Sequence, residues 1–357
     1  MFKSLNYIEK KIDKGERLSL EDGIKLYNAP LLYLGYLAKK VRDKLHGKKA
    51  YYVYNQHINY SNVCINLCKF CAFGKEKTDK DAFTLSLSDI EKKIKERIKE
   101  PITEIHIVGG LNPDLPFEYY VDLVKLVKNL RPKAYIKAYT VVEIDHFSKI
   151  SKKSHEEVLT ILKDAGVNVL PGGGAEIFTE RVRKLICPKK ISAKEWLNIS
   201  KIAHSLGIKT NCTMLYGHIE TIKERIEHLI MLRELQDETN GFICFIPLSF
   251  HPKNTKLSHL FGPTGVDDLK TIAISRLILD NIPHIKAYWI MLTPKLAQIA
   301  LNFGADDLDG TIIEEKITHM AKAISPQSLT KEELKRLIEE AGYRACERDT
   351  FFNEIKK

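Results

Sequence analysis

From about residue 50 onward the chain alternates between two hydrophobic periods. Short runs rich in β-branched and aromatic residues are each followed by a longer stretch with apolar residues at helical spacing. The runs are AYYVYNQHINY (50–60), TEIHIVGG (103–110), AYIKAYTVVEI (134–144), VNVLPGGG (167–174), KTNCTMLYG (209–217), GFICFIPLSF (241–250) and HIKAYWIM (284–291). ADDLDG (305–310) adds a short eighth. The helical stretches are 88–99, 117–130, 154–166, 193–207, 221–238, 266–281 and 293–303, with a short helix after the strand at 167–174. Strands that alternate with helices read as parallel βα units, and eight of them favour an α/β fold of the (β/α)8 TIM-type barrel. An open doubly wound sheet is the alternative, but no strand–GxGxxG–helix fingerprint supports nicotinamide binding.

The flanks are helical in pattern. Ser19 is placed to cap SLEDGIKLYNA, and Pro30 opens PLLYLGYLAKKVRDKL. SPQSLTKEELKRLIEEAG (325–342) reads as a capped amphipathic helix with Ser328 and Glu332 as cap elements. The expected organisation is a helical extension (1–49), a barrel (50–311) and a helical tail packed on it (312–357).

Composition narrows the class. The 357 residues suit one large barrel, and 44% hydrophobic content provides its core. No apolar run is long enough for a membrane span, and the charged start MFKSLNYIEKK lacks a secretory core. The net charge is +10, yet lysines such as those in EKKIKERIKE (91–100) alternate with glutamates as on a solvated helix face. No basic stripe interleaved with aromatics points to nucleic acid, whereas a small anionic substrate suits the charge. Seven cysteines, an odd number, fit a reducing cytoplasmic setting better than a disulfide framework.

Three of those cysteines carry the chemistry. Cys64, Cys68 and Cys71 form Cys-x3-Cys-x2-Cys within NYSNVCINLCKFCAFGKE, with Phe70 just before the third. Three thiolates can hold three irons of a [4Fe–4S] cluster and leave the fourth iron open to a small molecule. A zinc site completed by His57 and three unrelated buried cysteines are the alternatives. A closed cluster of an electron carrier would need a fourth thiolate, for which Cys187 and Cys212 are candidates. In a barrel the strands' C-terminal ends build the site, and polar or glycine residues recur there. They are Gly109 and Gly110, Thr140 and Glu143, Gly172–Gly174 with Glu176, Tyr216 with His218 and Glu220, and Ser249 with His251.

The cysteine pattern resembles the radical S-adenosylmethionine (SAM) superfamily. NYSNVCINLCKFCAF, HIVGGLNPDLPFEYY, LPGGGAEIF, TMLYGHIET, FIPLSFHPKNT and ALNFGADDLDGT together resemble the aminofutalosine synthase and dehypoxanthinylfutalosine cyclase group of menaquinone biosynthesis. Deazaflavin-cofactor synthases are more distant relatives. HIVGGLNPDLPFEYY, IKAYTVVEIDHF and FIPLSFHP lean to the synthase side. The resemblance covers roughly residues 50–350 and implies a full barrel.

The resemblance also implies chemistry. Cys64, Cys68 and Cys71 would ligate the cluster, whose open iron binds SAM and cleaves it to a 5′-deoxyadenosyl radical. Phe70, Gly109, Gly110, Thr140, Glu176 and Tyr216 would contact SAM. The substrate would be 3-[(1-carboxyvinyl)oxy]benzoate, and the radical would add to its enol-ether double bond. Rearrangement and decarboxylation would then give 6-amino-6-deoxyfutalosine. His251 and Glu143 are expected to orient the enolpyruvyl group. Two substrate carboxylates need cationic or N–H donors, with Asn112, Lys137, His218 and Arg276 as candidates. Reduced flavodoxin or ferredoxin is the expected electron donor.

Overall fold

The structure is a computed structural model that describes residues 2–312 and 315–355. Three helices lead in: α1 (Phe2–Lys14), α2 (Leu20–Tyr27) and α3 (Leu31–His46). Ser19 caps α2 in a reciprocal box with Asp22, as the sequence predicts. The first β-rich run breaks at Tyr54 into β1 (Lys49–Val53) and β2 (Asn55–Ile58). The break lets one stretch of chain serve two sheets.

A curled, all-parallel sheet has the order β2-β3-β4-β5-β6-β7-β8. Its further strands are β3 (Glu104–Ile107), β4 (Tyr135–Ala138), β5 (Val167–Leu170), β6 (Lys209–Tyr216), β7 (Phe242–Ser249) and β8 (His284–Ile285). Strand β9 (Asp307–Gly310) pairs with β1 and meets the β8 end through a Lys286–Asp307 bridge. The curl therefore closes into the expected radical SAM type of (β/α) barrel, with β9 as the short eighth strand. A tenth strand, β10 (Arg344–Arg348), lies on the other edge of β1, pairing Tyr51 with Cys346.

The outer layer follows the βα order: α4 (Leu87–Glu96), α5 (Phe117–Leu130), α6 (Val141–Ser151), α7 (His155–Ala165), α8 (Glu180–Ile186), α9 (Ala193–Ser205), α10 (Ile222–Thr239) and α11 (Gly265–Ile278). Further helices follow: α12 (Trp289–Leu292), α13 (Pro294–Ala300), α14 (Ile317–Met320) and α15 (Lys331–Glu340).

Several elements differ from the sequence reading. The strand expected over 134–144 stops at Ala138. Tyr139 takes a left-handed φ of 64°, and Thr140 caps α6 in a box with Glu143. A reciprocal cap, worth about 1 kcal/mol, here prevails over the β propensity of Val141 and Val142. Strand β8 is only two residues long, and Trp289 begins a helical turn instead. The tail helix is capped by Thr330 and Glu333 rather than Ser328 and Glu332. The tail beyond it is not wholly helical, because β10 follows.

Alternation along the strands sorts their side chains. Ile105, Ile107 and Ile136 are fully buried in the apolar layer beneath the helices, each contributing about 1.5–3 kcal/mol. The opposite face points into the barrel and is polar: His57, His106, Lys137, Asn211, Thr213 and Lys286. Barrel interiors are ordinarily filled by bulky branched apolar residues, so this polar filling marks a site.

Candidate active site

A cavity of about 320 Å³ runs from the loop after β2 down into the barrel. At its mouth stand Cys64, Cys68, Cys71 and Phe70. The cysteine loop is held by its backbone. Cys64 N–H donates to the Lys75 carbonyl at 3.0 Å, and Cys71 N–H to that of Cys68 at 3.0 Å. Leu67, immediately before Cys68, takes a left-handed φ of 41°, a conformation that side chains seldom adopt. Gly74 N–H donates to the Cys71 sulfur at 3.3 Å.

The donor set fits an iron–sulfur cluster. Three thiols converge on one cavity end, and an N–H points at one of the sulfurs, a bond of the kind that tunes a cluster's potential. Burial pushes Cys68 up to about 12 and also raises Cys71, so loading metal on these thiols must release their protons. Lys190 offsets the charge of the resulting thiolates. Burial works against its ammonium, but Cys68 and Glu176 together hold its pKa above the usual lysine value. Its Nζ is 2.6 Å from Glu176 Oε1 and 5.1 Å from the centre of the Phe70 ring. Nothing in the sequence marks Lys190, which stands in an ordinary Lys-Lys pair.

The glycine pair after β3 has a structural duty as well as a place on the cavity wall. A Cβ on Gly110 would lie 2.3 Å from the Val63 carbonyl oxygen, and one on Gly109 would lie 2.6 Å from the Tyr60 ring. Gly110 N–H also donates to Ser61 at 2.7 Å. The bare backbone thus presses the cysteine loop into position. Glu143 works in the same layer. Its Oε1 accepts from Tyr60 Oη at 2.7 Å and Gly109 N at 3.1 Å, and its Oε2 from Thr140 N at 2.6 Å. Burial raises its pKa against these three bonds. With both oxygens engaged, Glu143 is placed to hold Gly109 and the start of α6 rather than to meet a substrate.

The cavity floor is a buried charge network. Lys137 Nζ pairs with Glu104 at 2.7 Å, and Lys286 Nζ with Asp309 at 2.9 Å. Burial lowers Lys137 below its ordinary value. Burial also opposes the charge of Lys286, but Asp309 and Asp307 outweigh it and raise its pKa. The C-terminal segment completes the network from below. Arg348 on β10 bonds Asp307, and Thr350 Oγ1 donates to Glu104 at 2.7 Å. Beside the lysines, the His57 and His106 rings lie 4.5 Å apart. Burial holds both below the ordinary imidazole range, and His57 Nε2 has no hydrogen-bond partner among the described residues. His57 therefore belongs to the floor, with Lys137, Asp309 and Glu315 as its electrostatic neighbours.

His251 also lines the cavity. Its Nε2 donates to the Met291 carbonyl at 2.9 Å, leaving Nδ1 as the unprotonated nitrogen. The structure thus brings together Cys64, Cys68, Cys71, Phe70, Gly109, Gly110, Lys137, Thr140, Glu143, Glu176 and His251.

Four expected residues lie elsewhere. Tyr216 points out of the barrel and donates to Asp268 at 2.7 Å. His218 closes a turn on the Leu215 carbonyl and Glu220. Asn112 bonds Ser61 Oγ and Thr84 Oγ1 in the loop layer. Arg276 is buried under α3, bonded to the Gly304 carbonyl and Asp306. In β6 it is Asn211, Thr213 and Leu215 that face inward, and period-two counting from any one of them would have placed Tyr216 on the other face. A second cluster, His46, His284 and Asp306, sits outside the cavity. Its groups are engaged by Arg276 and the Pro283 carbonyl, so it ties α3 to β8 and β9.

Comparison with known proteins agrees with this geometry. The Radical SAM superfamily description matches residues 58–232, and the CofH/MqnC C-terminal region matches residues 239–356. An aminodeoxyfutalosine synthase of Thermus thermophilus is 48% identical over 98% of this chain and 95% of its own. One of Streptomyces coelicolor is 42% identical over 98% and 94%. A 5-amino-6-(D-ribitylamino)uracil–L-tyrosine 4-hydroxyphenyl transferase of Methanococcoides burtonii is 39% identical over 94% and 95%. Among solved structures, methylornithine synthase superposes with a TM-score of 0.77 at 19% identity, covering 95% of this chain and 97% of its own. The hydrogenase maturase HydG gives 0.76 at 16%, covering 97% and 76%. At such identity these two speak for the fold alone. With three cysteines at the mouth of a (β/α) barrel and near-full-length relatives of this identity, the chain belongs to the aminodeoxyfutalosine synthase family of radical SAM enzymes, which work with a [4Fe–4S] cluster and S-adenosylmethionine.

Proposed function

We propose that this enzyme adds the 5′-deoxyadenosyl group of SAM to 3-[(1-carboxyvinyl)oxy]benzoate and forms 6-amino-6-deoxyfutalosine in the cytoplasm, in the futalosine route to menaquinone. The observation that carries this reading is the polarity of the cavity along its depth. Cluster-type cysteines stand at one end, and two buried lysines with two histidines stand at the other. A substrate with two carboxylates and an aromatic ring fits the second end, because a buried carboxylate demands cationic or N–H partners.

The cluster and SAM supply the adenosyl radical. Cys64, Cys68 and Cys71 would hold the cluster. Phe70, Thr140 and the Gly109–Gly110 backbone would line the SAM site, with the Lys190–Glu176 pair beside it. Lys137 and Lys286 would each offer remaining ammonium protons to a substrate carboxylate. His251, fixed by Met291, would present Nδ1 toward the enolpyruvyl group. Glu143 acts as a positioning residue through Gly109. Holding the alkene at near-attack distance, about 3–3.5 Å, and excluding water are the protein's main contributions. Reduced flavodoxin or ferredoxin would supply the electron.

Anaerobic incubation of the reconstituted enzyme with SAM, reductant and each candidate substrate tests the reading by the mass of the product. Aminodeoxyfutalosine from the enolpyruvyl benzoate is expected. A cyclised product from dehypoxanthinylfutalosine would assign the cyclase activity instead. An adduct of tyrosine with the ribitylaminouracil would assign the activity that the archaeal relatives' name describes.

A further inference from the structure

Three loops from separate βα units meet over Cys68. Lys69 N–H donates to the Ile186 carbonyl at 2.8 Å, and Lys256 N–H to the Lys69 carbonyl at 2.9 Å. Lys189 Nζ donates to the Ile65 carbonyl at 3.3 Å. The outer side of this junction carries two exposed apolar side chains, Ile65 at 44% and Leu185 at 47%. Around them stand the exposed lysines 69, 184, 189 and 256. Lys184 is matched by Glu180 at 2.6 Å. Among the described residues, neither Lys69 nor Lys256 has a carboxylate partner.

This surface combines features that rarely serve stability. Exposed apolar side chains lose the benefit of burial, and unpaired lysines grouped together repel one another. Both costs are relieved by one kind of partner, a protein with an acidic rim and a small apolar centre. The position adds a reason for that partner. Cys68 is the residue between Leu67 and Lys69, so a protein docked here is separated from a cluster thiolate by one thickness of loop. Electron tunnelling falls steeply with distance, and transient redox encounters use small, electrostatically steered interfaces.

We propose that the Ile65–Leu185 face, ringed by Lys69, Lys189 and Lys256, docks an acidic flavin-type electron carrier that reduces the cluster. The transfer balances as one electron. The carrier's flavin hydroquinone anion becomes the neutral semiquinone, and the oxidised cluster gains the electron, with no proton exchanged. The proposal rests on the radical SAM reading, which demands a one-electron source, and is independent of the substrate.

Stopped-flow reduction of the reconstituted holoenzyme by reduced flavodoxin, with no substrate present, is the test. The Lys69→Glu/Lys256→Glu double variant should be reduced at least about tenfold more slowly, within the range that steering contributes. The wild-type rate should fall steeply with salt and the variant's only slightly. Reduction by dithionite, iron content and the SAM-induced change in the cluster EPR signal should stay as in wild type. A Lys152→Glu/Lys153→Glu control, at the far end of α6, should behave as wild type. Should the double variant load iron poorly, Lys69→Gln/Lys256→Gln gives the same comparison without reversed charge. Equal flavodoxin rates in the variant and wild type, a salt-independent wild-type rate, or an equal slowing by dithionite would overturn the proposal. An inability of wild type to bind SAM at its cluster would instead sink the radical SAM reading itself.

Discussion

Single atoms decide most of what happens at the cavity mouth. A methyl group at Gly110 would sit 2.3 Å from the Val63 oxygen, one residue before Cys64. Backbone cannot yield there without moving the cysteine loop, and overpacking of this kind costs about 1–3 kcal/mol or more. Gly110→Ala is therefore expected to lose most of its iron on reconstitution, together with SAM binding. The sequence suggests a narrower role, in which the glycine only lets a ligand approach. Full iron content with impaired SAM binding would favour that narrower role. Cys187 poses a second question at this scale: burial is what chiefly raises the Cys68 thiol, and Cys187 adds to it. Cys187→Ala should retain a cluster whose EPR signal responds to SAM. Loss of the cluster with the fold intact would make Cys187 a fourth ligand and move the protein toward an electron carrier.

At the scale of elements, β10 is the segment whose contribution is easiest to overlook and largest to remove. Arg348 is fully buried against Asp307, and its guanidinium lies 4.1 Å from the Phe352 ring centre. Arg348→Met would strand a buried carboxylate and should destabilise the protein by about 3–5 kcal/mol, as broken buried pairs do. Denaturant unfolding measures this, and a loss below about 1 kcal/mol would show that Asp307 has other support. The sequence hides β10 because RACER is short and charged, with no apolar alternation to mark a strand. It hides α6 for the opposite reason: a run of β-branched residues extends the strand pattern across Thr140. The signal that betrays α6 is the Thr140-x-x-Glu143 box. Apart from β8, which stops at Ile285 where HIKAYWIM suggests a longer strand, the other βα units are legible because their two periods are clean. The cysteine site is legible because its spacing is covalent and local. The charge floor is less so, since His57, His106 and Lys137 come from three strands and Lys286 from the residue after β8, which only the closed barrel brings together.

The whole molecule carries +10, but its cavity floor is balanced. Lys137, Lys286 and Arg348 face Glu104, Asp307 and Asp309. A dicarboxylate entering this floor adds negative charge that the lysines are already answering. His57 and His106 are the groups able to respond, since burial keeps them neutral in the free enzyme. Binding should raise their pKa values and draw in a proton, so affinity should weaken as pH rises through neutrality. Calorimetry of substrate binding to the oxidised, SAM-loaded enzyme in two buffers of different ionisation enthalpy would count that proton. Uptake should be about one proton near neutral pH and should shrink in His57→Phe and His106→Phe. Binding that is independent of pH, with no proton exchanged, would place the carboxylates elsewhere.

The central claim concerns where the adenosyl carbon ends. Turnover of SAM labelled with ¹³C at the 5′ position of its adenosyl group, with 3-[(1-carboxyvinyl)oxy]benzoate, tests it most directly. The account predicts that the label enters aminodeoxyfutalosine and that little free 5′-deoxyadenosine accumulates. Label released as 5′-deoxyadenosine in step with SAM consumption, with no labelled adduct, would contradict it.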